Sequence, residues 1–288
     1  MASVQDPARP ADAPDARDWV ELRPSGGVFR GLDLAEIWRY REVFRTLILR
    51  DFKARYKQAV FGLAWAVVQP LVAVVLFNFV FSRLAGLPSE GLPYAVFVFA
   101  GLSVWNCFSG GVSGASASLV ADPDLVTKIY FPRILAPAAA LAPSIMDFGI
   151  AIVVLGGVMA VYGVAPPVEL LLSPAWLLLL ALAMLGVGAW YAAVHVRYRD
   201  VGHAAGLVLQ LWMYATPVLY PASYVHGIWR VALALNPMTV VVDVARWSLV
   251  GGHAPTMIDL ASLGMLLLAT LSGIAYFQRT ERRFADLI

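Results

Sequence analysis

The residues best suited to a specific interaction lie in one short stretch, residues 122–135, between two long apolar runs. It contains both signs of charge, two prolines and an aromatic pair. Residues 127–135 could form a short surface helix, with apolar side chains toward lipid or protein and Lys128 and Arg133 toward water. We interpret the stretch as a contact surface for a partner on the cytoplasmic side. The residues expected to form that surface are Asp122, Pro123, Asp124, Lys128, Tyr130, Phe131, Pro132 and Arg133.

A second set of charges lies in residues 32–58, where apolar residues recur at helical spacing and Arg or Lys fills much of the remainder. This pattern predicts a basic amphipathic helix in the headgroup region of a membrane. Two roles stay open for it: anchoring by anionic lipid, and gripping an anionic lipid-linked substrate. The cations considered for the second role are Arg50, Lys53, Arg55 and Lys57.

Other chemistries find little support in the sequence. It has no phosphate-binding Gly-rich loop of the P-loop type and no His-Glu-x-x-His motif, and its four histidines follow no ligand spacing. Its one cysteine, Cys107, excludes a disulfide within the chain. We therefore predict no catalytic residue, no metal site and no cofactor in this chain. The net charge is +2, and we expect no nucleic-acid partner.

One ionisable residue, Asp147, falls inside an apolar run. Carboxylates at that depth are costly and often functional, and an ion-coupled carrier would use one. We find no charged partner for it in the other runs. A helix-to-helix hydrogen bond near Ser144 is therefore the favoured explanation.

Aromatic residues are plentiful, and several lie within apolar runs and not at their ends. Aromatic rings can stack on sugar rings, so these residues would suit a passage for a glycan. For any single residue, packing is the simpler explanation. The residues considered are Trp105, Phe108, Trp190, Tyr191, Trp212 and Tyr214.

The composition is that of a membrane protein: 60% of the residues are hydrophobic and 14% are charged, against about 25% charged in soluble domains. Six apolar runs approach the roughly 20 residues that cross a bilayer. We predict an all-α integral membrane protein with six transmembrane helices. The runs are residues 60–81, 94–116, 135–162, 174–194, 204–220 and 257–277.

Lys and Arg concentrate on one side of these runs, which places that side and both termini in the cytoplasm. The long outer segment, residues 221–255, predicts two short helices at residues 224–235 and 238–250, dipping back between the spans. Within it, Asp243 and Arg246 are spaced for a local ion pair. We divide the chain into a disordered or loosely ordered cytoplasmic tail (1–31), the amphipathic helix (32–58) and a single membrane domain (59–288).

The order of these elements resembles the permease subunit of ABC transporters that export bacterial polysaccharides such as O-antigen, capsule and teichoic acid. The resemblance covers residue 32 to the C-terminus. It is carried by the following motifs: Trp38-Arg39-Tyr40-Arg41 with residues 49–57, Leu63-Ala64-Trp65 with Gln69-Pro70, Lys128-Ile129-Tyr130-Phe131-Pro132-Arg133, Tyr198-Arg199-Asp200, Thr216-Pro217-Val218-Leu219-Tyr220-Pro221 and Asn236-Pro237-Met238.

The resemblance implies a homodimer in the bacterial cytoplasmic (inner) membrane, with two copies of a separate ATPase that binds ATP and Mg. Residues 122–135 would be the coupling helix seated on that ATPase, and the basic helix a gate helix near the lipid headgroups. The short outer helices would close the exit. The expected substrate is a polysaccharide, O-antigen foremost, on an undecaprenyl pyrophosphate carrier.

Two other classes remain open. An integral membrane sugar transferase would need clustered acids, for which Asp122 and Asp124 are the candidates. An ion-coupled carrier would depend on Asp147 and would not need ATP.

Overall fold

The computed structural model describes residues 38–56, 62–84, 86, 88–121, 131–281 and 284. Within these residues the regular structure is entirely helical. The helices, in chain order, are α1 (Arg41–Tyr56), α2 (Gly62–Phe77), α3 (Tyr94–Ala117), α4 (Leu135–Ala139), α5 (Ala142–Tyr162), α6 (Ser173–Arg197), α7 (Val201–Ala215), α8 (Ile228–Ala234), α9 (Pro237–Val250) and α10 (Met257–Thr280). Helix α2 continues as a π-helical segment, Asn78–Leu84, and 3₁₀ turns occupy Val168–Leu172 and Ala222–Tyr224.

Among the described residues, four helical segments are long and apolar enough to cross a membrane: Tyr94–Ala117, Leu135–Tyr162, Val168–Arg197 and Met257–Thr280. A fifth crossing is possible if α8 and α9 act as one bent span. The first and fifth predicted runs also form helices, but α7 has 15 residues. At about 1.5 Å per residue it is shorter than the roughly 30 Å of a bilayer core. The protein is therefore a multi-pass membrane protein, and the predicted count of six spans is not confirmed.

Helix α3 forms the centre of the bundle. In its apolar window 83% of the residues are buried, against 28% to 33% in the other three long spans. It packs against α2, α5, α6, α7 and α9. A helix that is apolar around most of its circumference is expected to lie inside a bundle, and α3 follows that rule.

Helices α6 and α10 approach each other closely because glycines face each other at the crossing. An ideal Cβ on Gly273 would lie 2.0 Å from the carbonyl oxygen of Gly186. Small residues let membrane helices approach in this way, so that van der Waals contact holds them together where lipid is the solvent.

A second, smaller core joins several parts of the chain that are distant in sequence. We call it the Leu47 cluster; its members include Leu47, Phe131, Ile134, Phe277 and Phe284, all 4% exposed or less. Leu47 belongs to α1, Phe131 and Ile134 precede α4, and Phe277 lies near the end of α10. The amphipathic helix is therefore packed onto the residues that follow the stretch 122–130.

The outer segment forms two short helices, as predicted, joined by a bend of 85°. The bend is fixed at Asn236, whose side-chain oxygen accepts the backbone N–H of Met238 at 3.0 Å and so caps α9. The same side chain donates to the carbonyl of Ala215 and to the hydroxyl of Thr216, which ties the bend to the end of α7. The depth of these two helices in the membrane stays a prediction.

Candidate functional site

A cavity of about 780 Å³ lies between the end of α1, the middle of α3, and helices α2, α5 and α7. We call it the polar cavity, because hydroxyl, amide and charged side chains line much of it. Polar residues at membrane depth usually face a bundle interior or a water-filled space, and these do so. The polar side chains on its wall are Arg55, Tyr56, Gln69, Ser103, Asn106, Ser109, Ser113, Asp147 and Gln210.

Helix α3 supplies one polar face to this cavity. Ser103, Asn106, Gly110 and Ser113 follow at i, i+3, i+7 and i+10, which places them on one side of a helix. Ser103 is 3% exposed, and its hydroxyl has no hydrogen-bond partner among the described residues. Buried polar groups usually have partners, so this hydroxyl is a donor and acceptor open to a ligand or water. This stripe was not predicted from the sequence, although its helical spacing is the signal that would have revealed it.

Asp147 lies on the cavity wall and is paired with α1. A terminal guanidinium nitrogen of Arg55 lies 2.6 Å from one carboxylate oxygen of Asp147, and the hydroxyl of Tyr56 donates to the other. No charged partner was found in the other apolar runs, and the structure shows that the partner, Arg55, lies in the amphipathic helix α1. The favoured explanation, a helix-to-helix hydrogen bond in this region, holds for Asp147 itself, because Tyr56 of α1 donates to its carboxylate. The Ser144 hydroxyl has no partner within the described residues. The sequence alone did not identify the charged pair, because the cation comes from the amphipathic helix and not from another apolar run.

The Tyr56 hydroxyl is held in its protonated form. Partial burial and, second to it, the hydrogen bond to the Asp147 carboxylate together raise the pKa of Tyr56 to about 12. At neutral pH the phenol is consequently a fixed donor to Asp147. It helps to hold the carboxylate beside Arg55 at the edge of the cavity.

The structure separates the four cations proposed for headgroup binding. Arg55 alone among those described lines the cavity. Arg50 pairs with its neighbour Asp51 at 2.8 Å, and Lys53 is exposed. Lys57 lies outside the described residues. Of the predicted set, Arg55 is therefore the residue that the fold brings to a site.

The six aromatics do not gather at one passage. Trp105, Phe108 and Trp212 form one group, with the edge of Trp212 against Phe108 at 5.4 Å between ring centres, and Trp105 lines the cavity. Trp190 stacks on Tyr276 of α10 at 4.8 Å. Tyr191 is partly buried in the main core, and Tyr214 is half exposed. Packing accounts for Phe108, which is fully buried, and also for most of Trp105, which is 2% exposed although it borders the cavity.

Most of the predicted partner surface, residues 122–130, lies outside the described residues. Of the remainder, Phe131 is buried in the Leu47 cluster. Arg133 donates to the backbone carbonyl of Glu281, beyond the end of α10. The interpretation of Asp122, Pro123, Asp124, Lys128, Tyr130 and Pro132 as a contact surface stays a prediction, and the structure shows that its C-terminal end is anchored to α1 and α10.

In the segment predicted to lie on the outer side, the expected ion pair between Asp243 and Arg246 is confirmed at 3.3 Å. Arg246 does more than the spacing indicated: it is 2% exposed and donates to the carbonyls of Pro217 and Val218 at 2.9 and 3.0 Å. These carbonyls follow α7, so Arg246 joins α9 to the chain after α7. In the described part of the chain no three His, Cys, Asp or Glu side chains are grouped to hold a metal ion.

The chain is similar to known proteins over most of its length. Residues 42–250 match the family described as ABC-2 type transporter. A protein of Myxococcus xanthus named O-antigen export system permease protein RfbA is 28% identical over 258 residues, which cover 88% of this chain and 98% of that protein. Two proteins of the same name from Klebsiella pneumoniae are 24% and 25% identical, and each match covers 83% of this chain and 92% of the relative.

Proposed function

The chain belongs to the ABC-2 type transporter family of membrane proteins, and from that premise we propose that it is the permease subunit of an ABC exporter of lipid-linked polysaccharide. The cargo we propose is O-antigen carried on undecaprenyl pyrophosphate. The names of the similar proteins from Myxococcus xanthus and Klebsiella pneumoniae support this assignment.

The polar cavity is the observation that carries the proposal. Hydroxyl and amide groups from α2, α3 and α7 line the cavity, and these groups can donate hydrogen bonds to sugar hydroxyls and accept hydrogen bonds from them. Trp105 adds an aromatic surface to the same wall. Arg55, at the edge of the cavity, supplies the cation that a pyrophosphate headgroup requires. A polar wall inside an apolar bundle has a function if a polar polysaccharide chain passes along it.

The assembly we propose is a homodimer in the cytoplasmic (inner) membrane, with both termini in the cytoplasm and two copies of a separate ATPase that holds ATP and Mg. Residues 122–135 would receive motion from that ATPase. The Leu47 cluster supports this role, because it packs α1 onto Phe131 and Ile134 in the C-terminal part of that stretch. Motion at residues 122–135 would thus reach α1 and, through Arg55, the edge of the polar cavity.

The pairing of Asp147 with Arg55 also bears on the ion-coupled alternative. An ion-coupled carrier needs a carboxylate that binds and releases the coupling ion during each transport cycle. Here the carboxylate is held by a guanidinium and by a phenol. A structural role, in which the Asp147 carboxylate links α5 to α1, therefore explains a carboxylate at this position without ion coupling.

The test is export in cells that lack the chromosomal copy of this chain and carry a plasmid copy. We expect Asn106→Leu, which replaces a polar group on the cavity wall, to lower surface polysaccharide several-fold at equal protein level. Val153→Leu, on a side chain that is 76% exposed, is the matched control and should export normally. Normal export by Asn106→Leu would show that the polysaccharide does not pass along the polar cavity. Sugar transfer by the purified chain alone would favour the transferase class.

A further inference from the structure

We propose that Asp147 occupies the position on Arg55 that a lipid pyrophosphate takes during transport, so that the Arg55–Asp147 pair is a latch opened by the substrate headgroup. This inference rests on the proposed function and concerns the edge of the polar cavity. It assigns to Asp147 a positioning role, acting through Arg55, and it selects Arg55 from the basic residues of α1.

The geometry supplies the first step. The pair joins two separate elements, the last turn of α1 and the second turn of α5, at 2.6 Å. Both residues line the cavity. An ion pair between two elements at the edge of a cavity restrains their separation, so breaking it would loosen α1 relative to α5 and leave the Tyr56–Asp147 hydrogen bond as the remaining link at this point.

Accessibility supplies the second step. The Arg55 side chain keeps 47% of its surface exposed although it is paired, whereas Asp147 keeps 26%. A guanidinium has five donors in a planar fork that suits carboxylate and phosphate oxygens equally well. An incoming anion can therefore engage the open side of Arg55 before the carboxylate is released.

Charge supplies the third step. A pyrophosphate monoester carries more than one negative charge and several acceptor oxygens, whereas Asp147 offers one charge and is also held by Tyr56. The headgroup can consequently replace the carboxylate on Arg55. Asp147 does not lose all its partners in the exchange, because the Tyr56 hydroxyl remains a donor to it. The cost of releasing a carboxylate at this depth is thereby reduced.

The chain contains its own reporter of the latch. Cys107 is its single cysteine; it lines the polar cavity and is 3% exposed. With the latch closed, a small maleimide should modify this thiol slowly. With the latch open, modification should be faster.

The experiment uses the full chain in lipid nanodiscs, with farnesyl pyrophosphate as the probe and farnesol as the uncharged control. In the wild-type protein we expect farnesyl pyrophosphate, but not farnesol, to accelerate Cys107 modification. Asp147→Asn keeps the size of the side chain and an acceptor for Tyr56. It should bind farnesyl pyrophosphate about fivefold more tightly, the scale expected when a partly exposed ion pair no longer competes. Its Cys107 should react rapidly without ligand.

Three further variants separate the latch from a loss of folding. Arg55→Gln should give rapid Cys107 modification without ligand and weak binding. The charge reversal, Arg55→Asp with Asp147→Arg, should restore slow modification but not the binding seen in the wild type. Arg45→Gln, on an exposed cation of the same helix that does not line the cavity, should behave as wild type in both measurements.

The outcomes distinguish the latch from the proposed function. If wild type binds farnesyl pyrophosphate but Asp147→Asn matches it in affinity and in Cys107 reactivity, the latch is wrong and the function stands. If wild type does not bind the probe at all, the pyrophosphate-lipid assignment itself fails. Inorganic pyrophosphate should compete weakly; competition as strong as that of the lipid would show that the site takes a free anion, and would overturn the headgroup proposal.

Discussion

The guanidinium of Arg246 lies 3.8 Å from the ring centre of Phe97, and this contact joins the outer helix α9 to the central helix α3. The same guanidinium donates to the Pro217 and Val218 carbonyls and pairs with Asp243. One buried cation therefore connects α3, α9 and the chain that leaves α7. The outer end of the bundle is held together by this cation and by the Asn236 side chain at the bend before α9.

Replacing Arg246 should destabilise the protein strongly. Arg246→Met retains much of the apolar stem but leaves two backbone carbonyls and the Asp243 carboxylate without their donor. Breaking a buried pair on one side typically costs about 3–5 kcal/mol. We expect a clearly lower midpoint of thermal unfolding in detergent. The control is Arg230→Met. Arg230 lines a second, smaller cavity together with Asp243 and Arg246 but is only partly buried, so its replacement should shift the midpoint little.

Arg246→Lys adds a second comparison. It keeps the positive charge but cannot reach two carbonyls, a carboxylate and a ring with one planar group. If Arg246→Lys were as stable as the wild type, charge alone would explain the effect and the hydrogen bonds to Pro217 and Val218 would be unimportant.

Introducing a side chain at Gly273 should disrupt the crossing of α6 and α10. A Cβ there would lie 2.0 Å from the Gly186 carbonyl oxygen, which is a backbone atom and cannot rotate away. Overpacking of this kind typically costs about 1–3 kcal/mol, and a direct backbone clash should reach the upper end. Gly264→Ala on the same helix has open space around it. It should be neutral or stabilising by up to about 1 kcal/mol, because Ala favours helix over Gly. Equal thermal midpoints for the two variants would contradict the close crossing.

The sequence predicted the fold class well because hydropathy is a property of each run by itself. Each of the six predicted runs contains a helix, and the two outer helices lie close to their expected positions. What could not be predicted was how far α2 and α7 extend, since helix ends depend on packing. The end of α7, for example, is fixed by Asn236, which lies 21 residues after Ala215, the last residue of α7.

The site was less predictable than the fold, for a related reason. Arg55 was identified as a candidate cation from its charge and its helix. Its partner Asp147 was treated as lacking one, because a pairing between α1 and α5 depends on how the two helices are rotated and packed. The polar stripe on α3 was missed because each serine is unremarkable by itself; only its helical spacing places it with Asn106 on one face.

The pH dependence of stability should show a contribution from Tyr56. Its pKa is raised to about 12 in the folded protein, above the ordinary value of 10.0. The folded state therefore keeps this proton at a pH where the unfolded chain loses it. The stabilising contribution is complete below pH 10 and decreases as the pH rises toward 12. Tyr56→Phe should be less sensitive to alkali in this interval.

The measurement is the ultraviolet difference titration of tyrosinate in wild type and in Tyr56→Phe, alongside thermal midpoints from pH 9 to pH 12. The difference between the two proteins isolates one phenol from the eleven tyrosines of the chain. If the phenol that the wild type has and Tyr56→Phe lacks titrates with a midpoint near pH 10, the hydrogen bond between Tyr56 and Asp147 does not persist in solution.

Weakening the Leu47 cluster should separate ATP hydrolysis from export. Leu47 is 3% exposed and packs with Phe131 and Ile134, directly after residues 122–130. Leu47→Ala removes that contact at a cost of about 2–5 kcal/mol for a buried leucine. If α1 is moved through this cluster, hydrolysis by the partner ATPase should continue while surface polysaccharide falls several-fold. Leu49→Ala, on the same helix but 46% exposed, is the control and should keep the ratio of polysaccharide exported to ATP hydrolysed. Should Leu47→Ala lower both activities in proportion at equal protein level, the cluster would be a structural support for α1 and not a route for motion.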